Sequence, residues 1–211
     1  MDILSKLFGS EERVRIIRMF LFNPNTVLGV KDIEERSGAS KRLIDSELAV
    51  FLKMGLIKKR PYPRNTKDKD GNKKKGNGWI LDNAFTYLKP LENILIHQVL
   101  VKDQDLVKRF SKTVLKLKMV IIAGIFIQSE EARVDVLVVG DNLKKTAMGR
   151  TIKELESEIG KEIRYAAFET SEFQYRIGMY DKLLRDISDY PHKTIFDKIS
   201  SQNSTSTESK A

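Results

Sequence analysis

Val30–Trp79, VKDIEERSGASKRLIDSELAVFLKMGLIKKRPYPRNTKDKDGNKKKGNGW, is the stretch whose reading decides the fold. Val30–Ser37 places Val30 and Ile33 on one side at helical spacing, and Gly38–Ala39 follow as a tight turn. Ser40 stands at the N-cap of a second helix, where its hydroxyl is expected to accept from an orphan amide. From Ser40 to Met54, Leu43, Ile44, Leu48, Phe51 and Leu52 fall on one helical face. Lys41, Arg42, Asp45, Ser46, Ala49 and Lys53 fall on the opposite face, and Gly55 suits a left-handed C-cap. Leu56–Lys59 and Trp79–Asp82 are expected to pair as strands, with residues 60–78 as the loop between them.

Two short helices, a tight turn and a basic hairpin make a helix-turn-helix with a wing. A helix that enters the major groove needs polar side chains near its N-terminus that reach phosphates and base edges. Ser40, Lys41, Arg42, Asp45 and Ser46 meet that need, with Lys53 further along. The wing adds Lys58, Lys59, Arg60, Arg64, Lys67, Lys69, Lys73, Lys74 and Lys75 against Asp68 and Asp70, a net excess of seven positive charges in eighteen residues. Such an excess seeks a polyanion, and double-stranded DNA is the expected partner. A solvated charge run is the bland alternative, and the adjoining helix-turn-helix pattern weighs against it.

Charge is spread unevenly along the rest of the chain. The chain of 211 residues carries a net +9. Residues 1–90 hold nineteen Lys and Arg against eleven Asp and Glu, whereas residues 91–211 hold nineteen against eighteen. The polyanion-seeking surface therefore belongs to the first part. Cysteine is absent, which excludes disulfides and thiolate zinc sites, and the two histidines, His97 and His192, are far apart in sequence. No metal and no cofactor are expected. The longest apolar run, Met119–Ile127, is too short to span a bilayer, and Met1–Phe8 lacks the plan of a signal peptide; a cytoplasmic location with no membrane partner is the expectation.

Before the helix-turn-helix, Ser10 is expected to cap a helix to Phe22 that buries Val14, Ile17 and Leu21, stopped by Asn23-Pro24-Asn25. Val27–Leu28 can add a short pairing strand. After the wing, Leu88–Val101 is expected as a helix with Leu91, Ile94, Leu95 and Val99 on its apolar face. That face can cover the first domain, meet the second, or pair with a second copy in a homodimer, since a two-fold DNA site requires one. Asp103–Val114 is expected as a further helix. The domain reading is 1–102, 103–199 and a disordered polar tail at 200–211.

Beyond Leu115 the pattern changes to short apolar strands, Leu115–Phe126, Val134–Val139 and Ile163–Phe168, alternating with helices at Leu143–Ile159 and Glu172–Ile187, the latter capped by Ser171. Thr194–Ile199 can close the set as a strand or a short helix. The stretch Gly124–Asp141, GIFIQSEEARVDVLVVGD, resembles the signature of the minimal nucleotidyltransferase family. That resemblance implies a Gly-Ser turn for a triphosphate, then an Asp-x-Asp pair which, with a third carboxylate, holds two magnesium ions. Here Gly124 matches the glycine and Asp135 the second aspartate, while Ile125 replaces the serine and Arg133 the first aspartate. A guanidinium there opposes metal entry, and Arg133 and Asp135 are expected to pair on one strand face.

The fold class expected is α+β, a winged helix-turn-helix followed by a nucleotidyltransferase-like α/β domain with a small mixed sheet. The whole arrangement resembles prokaryotic transcriptional-regulator-like proteins. That implies a DNA-binding regulator whose second domain is a pseudoenzyme kept for regulation or assembly, with nucleotide binding left open. A protein-interaction adaptor and an active nucleotidyltransferase are the competing readings.

Overall fold

The computed structural model describes residues 3–67, 73–96, 101–129 and 131–200, the side chains of residues 63–67 and 73–75 excepted. The protein is α+β and divides into two compact units, Met1–Gln98 with Glu156–Lys161, and Val99–Leu155 with Glu162–Ala211. The sequence places its boundary at 102/103. No helix among the described residues is long and apolar enough to cross a membrane.

In the first unit, α1 (Ile3–Phe8) leads to α2 (Glu11–Phe22), and the Ser10 hydroxyl accepts from the Arg13 amide at 3.0 Å as its cap residue. α3 (Val30–Ser37) ends at Gly38, whose φ of 68° reverses the chain, and α4 (Lys41–Met54) follows after Ala39 and Ser40. Ser40 occupies the N-cap of α4 with extended backbone, but its hydroxyl makes no capping bond, contrary to the expectation. The turn is tied by the buried Ser37 instead, whose hydroxyl donates to the Ile33 carbonyl and accepts from the Ala39 amide at 3.2 Å. Ile44, Leu48 and Phe51 of α4 join Ile33, Val14, Ile17, Phe20 and Leu21 in one core, while Leu43 and Leu52 are only partly buried against it.

β1 (Ile57–Lys67) and β2 (Lys73–Leu81) form an antiparallel hairpin in register from Ile57↔Leu81 to Pro63↔Lys75. This corrects the expectation of short strands around a loop at 60–78: the strands run well into that stretch. Pro61 and Pro63 lie within β1 although neither can donate to a ladder. Among the described residues β1 has only β2 as neighbour, and prolines two apart place both missing N–H groups on its open edge, where nothing is lost. Leu28 adds a single bridge to Trp79, with Leu28 N donating to Trp79 O at 2.8 Å and the reverse bond at 2.9 Å. α5 (Leu88–Leu95) is shorter than the helix expected to Val101, and residues 97–100 lie outside the described residues.

In the second unit, α6 (Asp103–Phe110) precedes β3 (Lys116–Ala123), a single 3-10 turn at Gly124–Phe126, β4 (Val136–Asp141) and α7 (Lys145–Ile159). β5 (Tyr165–Phe168), α8 (Thr170–Gly178), α9 (Lys182–Asp189) and β6 (His192–Asp197) complete it. The strand order is β5-β4-β3-β6; β3 is antiparallel to β4 and β6, and β4 is parallel to β5, so the small sheet is mixed. Met119, Leu137, Val139 and Phe168 pack with Phe173, Leu184 and Ile187 on one face. Val120, Ile122, Val136 and Val138 alternate with them and are buried too, which explains the continuous apolar runs.

One helix was expected over Glu172–Ile187, and the chain makes two. Gly178 ends α8, Tyr180 turns back at φ 51°, and the Asp181 carboxylate restarts the helix by accepting from the amides of Leu183 (2.8 Å) and Leu184 (3.3 Å). The cap is Glu169 for α8 in place of Ser171. The strand expected from Val134 begins at Val136, because Val134 and Asp135 belong to the connection before it.

Candidate nucleic-acid interface

The inner face of α4 is fixed by more than apolar packing. Glu47 on α4 is buried, and Arg13 of α2 grips its carboxylate with Nε (2.8 Å) and Nη2 (2.9 Å). Arg13 also donates to the Phe8 carbonyl at 2.8 Å, so α1, α2 and α4 are joined through one guanidinium. A two-pronged Arg–carboxylate contact sets orientation as well as distance. It fixes the rotation of α4 about its own axis, and with it the side chains that face water.

Those outward side chains are Ser40, Lys41, Arg42, Asp45, Ser46, Ala49 and Lys53, every one exposed. They form a strip along α4, and Arg42 to Lys53 covers about 16 Å at the helical rise. None of Lys41, Arg42, Asp45 and Lys53 enters an ion pair among the described residues. All six positions taken from the sequence as DNA contacts on this helix thus share one open face.

The hairpin is placed by a tether that the sequence did not announce. The Tyr62 phenol of β1 donates to Asp32 of α3 at 2.9 Å, and the other carboxylate oxygen of Asp32 accepts from the Gly29 amide at 2.7 Å. The bond to Asp32, then partial burial, raises the Tyr62 phenol above its ordinary pKa. Two glycines make room for this ring. A Cβ on Gly29 would lie 2.8 Å from it, and one on Gly78 would lie 2.8 Å from Tyr62 Cβ and 2.6 Å from Val27 Cγ1. Gly78 thus serves close packing within β2, in a stretch expected from the sequence to be loop.

The basic residues of the hairpin divide. Lys59 and Arg60 are exposed on β1. Lys58 is half-buried and pairs with Asp82 at 3.2 Å, so part of its charge is used within the fold. The Asp82 carboxyl is held below its usual range by the Ala84 amide first and by Lys58 next. Arg64, Lys67, Lys73, Lys74 and Lys75 stand on the strands toward the tip, with side chains outside the described ones, and Lys69 lies outside the described residues. The α5 face also divides. Leu95 is fully buried and Leu91 packs against the first unit's core, leaving Ile94 exposed at 40%, and Val99 is outside the described residues.

In the second unit, Gly124 and Ile125 meet the carboxylate of Asp135. Asp135 is completely buried and accepts four N–H donors: the amides of Ile125 (3.1 Å) and Arg164 (2.8 Å), and Arg164 Nε (3.1 Å) and Nη2 (3.0 Å). Gly124 turns at φ 52°, where a Cβ would fall 1.9 Å from Asp135 Oδ1. The expected Arg133–Asp135 pair is not formed. Arg133 precedes β4 and binds Asp186 of α9 at 3.2 Å, while Arg164, just before β5, takes Asp135. Alternation on one strand face fails as a guide here because neither residue is in the strand.

The carboxylate at the far end of β5 is also engaged. Glu169 accepts from the amides of Asn142 (2.9 Å) and Leu143 (2.7 Å), ordering the approach to α7. Among the described residues no group of three or more His, Asp and Glu side chains is disposed to hold a metal ion. No protein-family model matches the chain, and no curated protein matches it.

Proposed function

We propose that the chain is a DNA-binding transcriptional regulator. Its first unit is a winged helix-turn-helix with α4 as the recognition helix and the β1–β2 hairpin as the wing. The observation that carries this is the open strip of α4, held at a fixed rotation by the Arg13–Glu47 grip. The strip joins two functions that duplex recognition needs. Lys41 and Lys53 offer mobile ammonium groups to phosphates, and Arg42 offers a planar fork that matches the O6/N7 edge of guanine.

Asp45 strengthens the case for sequence discrimination. A carboxylate facing a polyanion weakens general affinity, yet the one acidic residue on this strip has no ion-pair partner among the described residues. Facing base edges, it accepts from cytosine N4 and repels an acceptor edge.

The second unit, on this proposal, resembles a nucleotidyltransferase without its chemistry and serves regulation or assembly. Two-metal transfer needs carboxylates free to bridge cations, and the four donors on Asp135 occupy its lone pairs.

Selection of random duplexes with the purified chain is expected to enrich one motif. Arg42→Ala should then cost roughly 1–3 kcal/mol on that motif and much less on a random duplex. Asp45→Asn should tighten binding to random duplexes while relaxing one position of the motif. No enrichment, together with capture of a protein partner, overturns the proposal in favour of an adaptor.

A further inference from the structure

The second half of the chain is nearly neutral, with nineteen basic against eighteen acidic residues from 91 to 211, yet four of its lysines gather at one end of the sheet. Lys112 follows α6, Lys116 opens β3, Lys144 immediately precedes α7 and Lys145 opens it. Three backbone links hold these segments together. Lys144 N donates to Thr113 O at 2.9 Å, Leu115 N donates to Asp141 O at 2.9 Å, and Lys116 is the register partner of Asp141. All four side chains are exposed, and none is in an ion pair among the described residues.

Acidic groups do occur nearby, and they are otherwise engaged. Asp141 accepts from the Thr170 hydroxyl, and Glu169 accepts from the amides of Asn142 and Leu143. Lys193, on β6, is by contrast paired with Asp103. Against the two carboxylates, four ammonium groups leave a net excess of two positive charges, and like charges gathered in this way repel each other in the free protein. That repulsion is relieved when an anion with several charged groups lies across them.

We propose that Lys112, Lys116, Lys144 and Lys145 form a second phosphate-binding surface, which contacts the backbone of duplex DNA. The choice of duplex DNA over another polyanion rests on the function proposed for α4. Lysine suits the task, since an ammonium group binds phosphate as a point charge and carries no base preference. The surface gives the second unit a part in DNA binding that needs neither nucleotide nor metal.

The test uses the full chain and a labelled duplex of about 30 base pairs, with affinity followed by fluorescence anisotropy as potassium chloride is varied. The variant Lys112→Gln/Lys116→Gln/Lys144→Gln/Lys145→Gln should bind about tenfold more weakly near 0.1 M salt, and its log–log salt slope should flatten by about two. The matching Lys→Arg variant should retain both. Lys153→Gln, an exposed change elsewhere on α7, should alter neither. An unchanged slope in the glutamine variant, with the wild type binding normally, overturns this surface and leaves the α4 proposal standing. A wild type that binds no duplex overturns both. Retained DNA binding with lost binding to anionic phospholipid vesicles assigns the lysines to a membrane surface and also overturns the inference.

Discussion

On α4, Lys41, Arg42, Asp45 and Lys53 stand in water without an ion pair among the described residues, and beneath them Arg13 and Glu47 close on each other at 2.8 and 2.9 Å. Around Asp135 there is no such outer layer. Its carboxylate is buried and saturated by two amides and a guanidinium, and Arg133 beside it is paired with Asp186. Both regions carry charge at positions where a sequence motif draws attention. One leaves that charge open after the fold has been fixed by other groups, whereas the other consumes it in making the fold. A charged residue is a sign of function only when the structure has not already used it.

The sharpest way to break this contrast is to remove Asp135. Its carboxylate accepts bonds from a charged group and from two amides, so Asp135→Ala leaves several donors without a partner in a buried site. Loss of such bonds should destabilise the second unit by about 3 kcal/mol, or several degrees in melting temperature followed by circular dichroism. Stability that stays at the wild-type level would mean that the carboxylate is not a structural group. Incubation of the wild type with labelled nucleoside triphosphates and magnesium or manganese should leave it unlabelled. Labelling that appears and then vanishes in Asp135→Ala would return Asp135 to catalysis and erase the contrast.

The hairpin tests the other side of the comparison. Lys73→Ala/Lys74→Ala/Lys75→Ala should weaken binding to all duplexes alike, by about ten- to a hundredfold, and flatten the salt slope by about two to three. A loss confined to one preferred sequence would show that these lysines read bases. No loss at all would make the tip of the hairpin a solvated charge run, and the open charges of the first unit would shrink to those of α4 and the base of β1.

Much of the first unit was legible in the sequence because local signals agreed with tertiary ones. Ser10 caps α2, Gly38 and Gly55 take left-handed conformations, and the two faces of α4 divide as the 3.6-residue period requires. The length of the hairpin was not legible, because residues 60–78 hold prolines, glycines and a dense charge run in place of an alternating apolar pattern, and only the topology shows that β1 has an open edge among the described residues. In the second unit the strands were visible as apolar runs, but the partner of Asp135 was not. Arg164 is 29 residues further on, and nothing in local spacing marks one arginine over another for a buried carboxylate. The Tyr62–Asp32 tether was hidden for the same reason. Its one available sign was a pair of glycines, Gly29 and Gly78, at places where no turn needed them.

That tether yields the smallest and most selective test. Tyr62→Phe removes the bond to Asp32 and keeps the ring between Gly29 and Gly78, so packing is preserved. The cost should be about 1 kcal/mol to the first unit, with the hairpin less firmly held beside α3. pH supplies an independent check. Because the bond to Asp32 raises the phenol's pKa in the fold, its contribution is fully present below the ordinary tyrosine value of about 10. It is lost as pH rises from that value through the raised one. The stability difference between wild type and Tyr62→Phe, measured by denaturant titration with the single Trp79 as fluorophore, should therefore be constant at neutral pH and shrink in the alkaline range. A gap that persists above the raised value would locate the effect in packing instead of the hydrogen bond. A weaker hold on the hairpin should also lower affinity for random duplexes slightly while leaving the preferred motif unchanged, since Tyr62 positions the wing and leaves the face of α4 intact. A change in the motif itself would mean that hairpin and helix read the duplex as one surface.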